Sequence, residues 1–182
     1  HDPAFAAFAD VFHHRMLSLL YRAWATGRPA VSFDRPGKDR FGEELAALIG
    51  RGQPGLRDRD EWPDLAKLHY AGILGLQSRS SEGLRIMLED YFGVPARILE
   101  FQGGWMRLPD HYRLRLGESP DTGSLGVTTV AGAEVWGCQQ RFRIVLGPLQ
   151  LAAYGRFLPG GDSLRSLVAL VRNYLGDELD WD

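Results

Sequence analysis

Residues Ser80 to Phe101 read Ser-Ser-Glu-Gly-Leu-Arg-Ile-Met-Leu-Glu-Asp-Tyr-Phe-Gly-Val-Pro-Ala-Arg-Ile-Leu-Glu-Phe, and the hydrophobic period changes inside this stretch. Ser80 opens a helical pattern through Leu84, Met87, Leu88 and Phe92, which Gly93 stops. From Val94 to Phe101 the chain turns to β-branched and aromatic residues, the composition of a strand. The residues N-terminal to Gly93 read as helix and loop, and those C-terminal to it mix strands with helices. The expected fold class is therefore α+β, with a helical N-terminal half and a mixed strand and helix C-terminal half. The corresponding domain reading is a helical region over 1–93 and an α+β region over 94–182, with a variable loop near 110–131.

Working towards the N-terminus, Pro63 opens a helical pattern through Leu65, Leu68, Ile73 and Leu74. Asp39 caps another through Leu45, Leu48 and Ile49, ending at Gly50. Between Arg28 and Lys38, Pro29, Pro36 and Gly37 mark a loop in which Val31 to Phe33 reads as extended. The first segment is one long helix, capped by Asp2, started by Pro3 and closed by Gly27. Asp10, His14, Ser18 and Arg22 form a narrow polar strip. Phe5, Phe8, Phe12, Met16, Leu19 and Leu20 line one flank, and Leu17, Tyr21 and Trp24 the other. A surface helix needs one apolar stripe, so this helix is expected to touch neighbours on two sides, some of them in a missing part of the protein or another chain.

Towards the C-terminus, Trp105 to Leu108, Leu125 to Trp136 and Arg141 to Leu146 read as strands, and Leu149 to Phe157 as a short helix. Asp162 or Ser163 is the expected cap of a last helix, with Leu164, Leu167, Val168, Val171 and Leu175 at helical spacing. Gly176 ends it and the chain leaves as a strand. Both ends look cut, so the sequence reads as part of a longer protein.

Composition narrows the function classes. Among 182 residues, 21 are Lys or Arg and 23 Asp or Glu, a balance with no field for a polyanion. The longest runs without those residues, Thr122 to Ala133 and Ile144 to Gly155, are far shorter than the roughly 18 a membrane span needs. No nucleic acid, no direct membrane insertion and a soluble chain are expected. Cys138, the single cysteine, can form no internal disulfide.

Candidate chemistry is sparse. Gly50, Gly52 and Gly55 spell G-x-G-x-x-G, but a nucleotide-binding loop of that kind needs a strand before it and a helix after it. A helix precedes this one and Pro54 removes a donor, so a structural turn is expected, with a nucleotide- or small-ligand-binding loop as the alternative. His13 and His14 are adjacent and cannot share a metal, while Asp10 with His14 reads as a surface pair. Asp58 with Asp60, and Glu43 with Glu44, read as carboxylates of solvated faces. The expectation is no catalytic residues, no metal and no cofactor. Of the 21 basic residues 19 are arginine, a bias that suits interfaces and that a GC-rich genome also produces. Five tryptophans remain: Trp24, Trp62, Trp105, Trp136 and Trp181. Core packing is the default for each. As partner-binding candidates the sequence offers Trp24 with Tyr21 on the first helix, Trp62 beside Pro63, Trp105 after two glycines, and Trp136.

Particular words of the sequence also resemble a family. Phe12 to Trp24, Asp39-Arg40-Phe41, Pro54-Gly55-Leu56-Arg57, Arg79 to Leu84, Asp90 to Pro95, Phe142 to Leu149, Leu158 to Gly161 and Tyr174 to Trp181 occur in the order and wording of the TssG family, also called ImpH or VasB. Members are baseplate components of the bacterial type VI secretion system. The resemblance covers nearly the whole chain and implies the C-terminal half or more of a longer subunit. It implies a non-enzymatic scaffold that joins two copies of a TssF-like subunit to TssK-like trimeric adaptors, beside TssE-like and spike components. It also implies a location at the cytoplasmic face of the bacterial inner membrane. The stretch Asp110 to Ala131, rich in Gly, Ser and Thr and weakly periodic, is expected to bind the adaptor.

Overall fold

The computed structural model describes residues 3–34, 39–115 and 117–182. They fall into two compact units, His1–Gln77 and Ser78–Asp182. The cap expected at Asp2 and the turn at Pro36 and Gly37 lie outside the described residues.

The first unit is helical. It contains α1 (Pro3–Thr26), α2 (Pro29–Phe33), α3 (Arg40–Leu48), α4 (Asp64–His69) and α5 (Ala71–Leu74). Asp39 caps α3 as its sequence predicts, its carboxylate accepting from the Gly42 amide at 3.1 Å. A residue with a larger side chain than Gly42 would collide with that carboxylate, because a Cβ there would lie 2.3 Å from Asp39 Oδ2. Val31 to Phe33 is a correction to the extended reading. Pro29 presets a helical φ at the first position of α2, and Val31 donates to the Arg28 carbonyl at 3.1 Å, so a short helix forms.

The buried centre of this unit is small and partly ionic. Trp62 is fully buried, with its ring stacked 6.0 Å from that of Tyr70. Beside them Lys67 is 1% exposed, and its ammonium donates to Asp60 at 2.9 Å and Asp64 at 2.8 Å. Arg51 approaches Asp60 at 3.7 Å, and Asp64 also accepts from the Asp58 amide at 2.9 Å. An ammonium taken out of water without partners would cost several kcal/mol, roughly, so both carboxylates are required where Lys67 is buried. Asp60 is thus not a carboxylate of a solvated face.

This cluster gives a pH prediction. Partial burial raises the Asp64 pKa, but the hydrogen bonds from Lys67 and the Asp58 amide, with the nearby charges of Lys67 and Arg51, outweigh it and hold the carboxyl below its usual range. A carboxyl with a depressed folded-state pKa stabilises the fold above its unfolded pKa, and that stabilisation disappears as the pH falls through the folded value. Acidification below the usual carboxylate range is therefore expected to loosen this unit. The emission of buried Trp62 should shift to the red, and Lys67→Met should flatten that pH dependence.

The second unit carries α6 (Ser81–Phe92), β1 (Ala96–Leu99), β2 (Gly104–Arg107), α7 (Pro120–Gly123), β3 (Glu134–Gly137), β4 (Arg141–Leu146), α8 (Leu151–Phe157), α9 (Asp162–Leu175) and β5 (Asp180–Trp181). The segment from Ser80 to Leu99 forms the helix and strand that its changing period predicts. Ser80 accepts from the Gly83 amide at 3.1 Å, and Gly93 ends α6 at a φ of 64°, where other residues are strained. Glu89, itself paired with Arg85, accepts from the Ala96 amide at 3.1 Å and so ties the end of α6 to the start of β1.

One sheet has the order β1-β4-β5. Strand β1 is antiparallel to β4, with Ile98 opposite Ile144, and β5 is parallel to β4, with Trp181 opposite Phe142. The buried side chains include Leu84, Met87 and Leu88 of α6, Leu167, Leu170, Val171 and Tyr174 of α9, and Ala96 and Phe142 of the sheet. The Tyr174 hydroxyl donates to the Ser80 carbonyl at 2.9 Å, joining α9 to the cap of α6. The cap of α9 differs from expectation. Gly161 holds that position, where a Cβ would lie 2.1 Å from the Arg156 carbonyl oxygen, and Asp162 is already helical. The strand expected over Leu125 to Trp136 is confined to Glu134–Gly137. Gly126 and Gly132 interrupt the run, and both take positive φ.

Candidate functional site

Two apolar surfaces stand out, one on each unit. The first is α1, whose 24 residues include no buried side chain. At about 1.5 Å per residue it is roughly 36 Å long. Phe5, Phe8, Phe12, Met16 and Leu20 are all more than half exposed. Phe8 and Phe12 meet edge to face at 5.0 Å. Near the end of the helix Tyr21 stacks on Trp24 at 5.7 Å, with the Arg28 guanidinium 4.7 Å above the Trp24 ring. Tyr21 and Trp24 thus form a pre-arranged aromatic pair on the surface. Isolated helices derive little stability from propensity alone and are held by packing of an apolar face, and α1 leaves its apolar side chains exposed.

The second surface is a two-stranded ribbon of β2 and β3. Its register sets Trp105 opposite Trp136, Met106 opposite Val135 and Arg107 opposite Glu134. Cross-strand partners share a face, and the two indoles meet edge to face at 5.4 Å while remaining 68% and 58% exposed. Gly103 makes this possible, since a Cβ there would sit 2.2 Å from Trp136 Cζ2. Gly103 thus acts as a floor for the Trp136 ring. The pair at Met106 and Val135 alternates to the opposite face of the ribbon.

Trp62 is the exception among the partner-binding candidates. It is 0% exposed and packs on Tyr70 beside the Lys67 cluster, so it belongs to the core. Nothing in a tryptophan-proline pair distinguishes an anchor from a core residue. Only the buried neighbours that the fold supplies decide it. Sequence reasoning also misses several exposed apolar side chains, notably Leu125, Val127 and Leu151. The first two sit in a run whose hydrophobicity suggests a strand, and its glycines are the available signal against one.

The Gly50–Gly55 loop lacks the strand that a nucleotide site requires. Helix α3 leads into it, Gly50 has a φ of 75°, and Pro54–Leu56 forms a single 3-10 turn. With no strand to aim a helix N-terminus at a phosphate, the loop is a helix exit followed by a turn. Among the described residues no group of three or more His, Cys, Asp or Glu is arranged to hold a metal ion, and no helix is long and apolar enough to cross a membrane.

A family model described as type VI secretion, TssG, matches residues 1–182. The chain belongs to the TssG family. Among solved structures, a chain of the type VI secretion system TssK-TssF-TssG baseplate subcomplex, determined by cryo-electron microscopy, superposes with a TM-score of 0.79 at 25% identity. The match covers 94% of this TssG-family chain and 71% of that chain. A chain of the baseplate complex from the type VI secretion system matches with a TM-score of 0.71 at 26% identity, over 98% of this chain and 50% of that one. No curated protein matches the sequence.

Proposed function

We propose that this chain is a structural scaffold of the type VI secretion baseplate, acting through binding surfaces and not through catalysis. In this reading it joins two copies of a TssF-like subunit to TssK-like trimeric adaptors, next to TssE-like and spike components, and works in the bacterial cytoplasm at the inner-membrane face of the assembly. The observation that carries the reading is α1, a long helix with aromatic and aliphatic side chains on both flanks and none buried. Covering it removes each exposed Phe or Leu from water, worth about 1.5–3 kcal/mol apiece, a gain open to a bound partner or to the rest of a longer subunit. The apolar faces that its sequence presents on two sides suit a helix inserted between two neighbours.

The adaptor is assigned to residues 110–131, which lie in the connection between β2 and β3. The stretch carries two short helical turns and the exposed Leu125 and Val127. Co-expression with TssF-like and TssK-like subunits, followed by native mass measurement, tests both assignments. The intact chain is expected in a complex with both. Deleting Glu118 to Ser124 should remove the TssK-like adaptor and leave the TssF-like subunit bound. A chain that purifies free of both subunits refutes the scaffold reading, and an adaptor retained by the deletion refutes the loop assignment.

A further inference from the structure

We infer that the Trp105–Trp136 face of the β2–β3 ribbon takes a short proline-containing segment of a partner protein in extended, left-handed polyproline conformation. The inference rests on reading these tryptophans as partner-binding, but not on which baseplate subunit supplies the segment.

Area comes first. Two large aromatic side chains, each more than half exposed, offer on the order of 300 Å² of apolar surface. A stable protein pair buries roughly 800 Å² on each partner, so the patch is too small to hold a second copy of this chain or a folded domain by itself. It matches the footprint of a few residues.

Preorganisation comes second. The Trp136 ring lies on the backbone of Gly103, where even a methyl group would collide with it, and Trp105 meets it at an interplanar angle of 73°. The rings form an open corner that cannot collapse inward. A patch this small binds measurably only a ligand that loses little freedom on docking. Polyproline segments meet that condition, being ordered before they bind, and aromatic-lined grooves are a recurrent means of holding them.

Charge comes third. Arg107 and Glu134 stand opposite each other in the same ribbon, so their charges offset. The offset pair leaves no net charge to attract a charged segment of either sign. A neutral, ring-bearing segment is what remains.

The test is a titration of the 182-residue chain with an acetylated, amidated octaproline peptide, reading the indole N–H resonances of Trp105 and Trp136. Saturable shifts at these two indoles are expected, with none from a Gly-Ser peptide of equal length. Trp105→Ala should weaken the octaproline interaction at least about tenfold, in line with the loss of one aromatic contact. Gly103→Ala keeps both rings and displaces that of Trp136, so a comparable loss there separates binding from ribbon unfolding. An octaproline peptide that moves neither indole, a Gly-Ser peptide that binds as well, or a Gly103→Ala chain with undiminished affinity overturns the inference. Because the assay contains no baseplate subunit, its failure leaves the scaffold reading standing, and loss of complex formation on co-expression leaves this result standing.

Discussion

A chain carrying Phe8→Gln, Phe12→Gln and Leu20→Gln is expected to lose its TssF-like partner while keeping its own fold. The three side chains lie on α1 and are more than half exposed, so the substitutions remove no buried contact within the chain. Glutamine is a good helix former, so the helix itself is preserved. Covered by that partner, each of these residues would contribute about 1–3 kcal/mol of buried surface, and removing three would then weaken association by at least about a hundredfold. Size-exclusion chromatography of the co-expressed proteins, with circular dichroism of the variant alone, checks both halves. Retained co-elution would mean that α1 is not the interface, whereas loss of helical signal would mean that it packs within the chain.

The opposite outcome is expected for Trp62→Ala. This ring is fully buried against Tyr70, and its removal leaves a cavity there, while the Trp62 amide donates at 3.0 Å to Asp60, a partner of the Lys67 ammonium. Large-to-small changes of a buried tryptophan cost about 3–5 kcal/mol, a large part of the stability of a unit whose core is this small. Because the Trp62 amide is also bonded to Asp60, which pairs with the buried Lys67, the loss should extend to the Asp58 to Asp64 segment. Chemical denaturation followed by tyrosine and tryptophan emission measures it. Trp105→Ala, made on an exposed ring of the second unit, should shift the same curve by less than about 1 kcal/mol. Equal effects from the two substitutions would sink the distinction between core and surface tryptophans.

Much of the architecture is readable because it depends on neighbours close in the chain. Asp39 and Ser80 cap helices because their side chains reach an amide three residues on, and Gly93 ends α6 because only glycine takes its φ at no cost. The same local logic fails where other groups intervene. The cap of α9 falls on Gly161 and not on Asp162 or Ser163, at a position where the Arg156 carbonyl occupies the space a side chain would need. Glycines at positive φ dissolve most of a strand that hydrophobicity alone suggests. Of the binding candidates, Tyr21, Trp24, Trp105 and Trp136 are at the surface, whereas Trp62 is not.

What the sequence determined by itself is the succession of helices and strands, the balance of charge and the family, since each is written in residue identity and short-range spacing. Which tryptophans are buried, why Lys67 tolerates an apolar site, and that the apolar flanks of α1 meet no core were decided only by tertiary structure. The physical reason is that burial is a property of pairs. Trp62 and Trp105 have the same side chain and similar turn-like flanks, but one meets Tyr70 in a site closed to water, and the other meets Trp136 across a ribbon open to solvent.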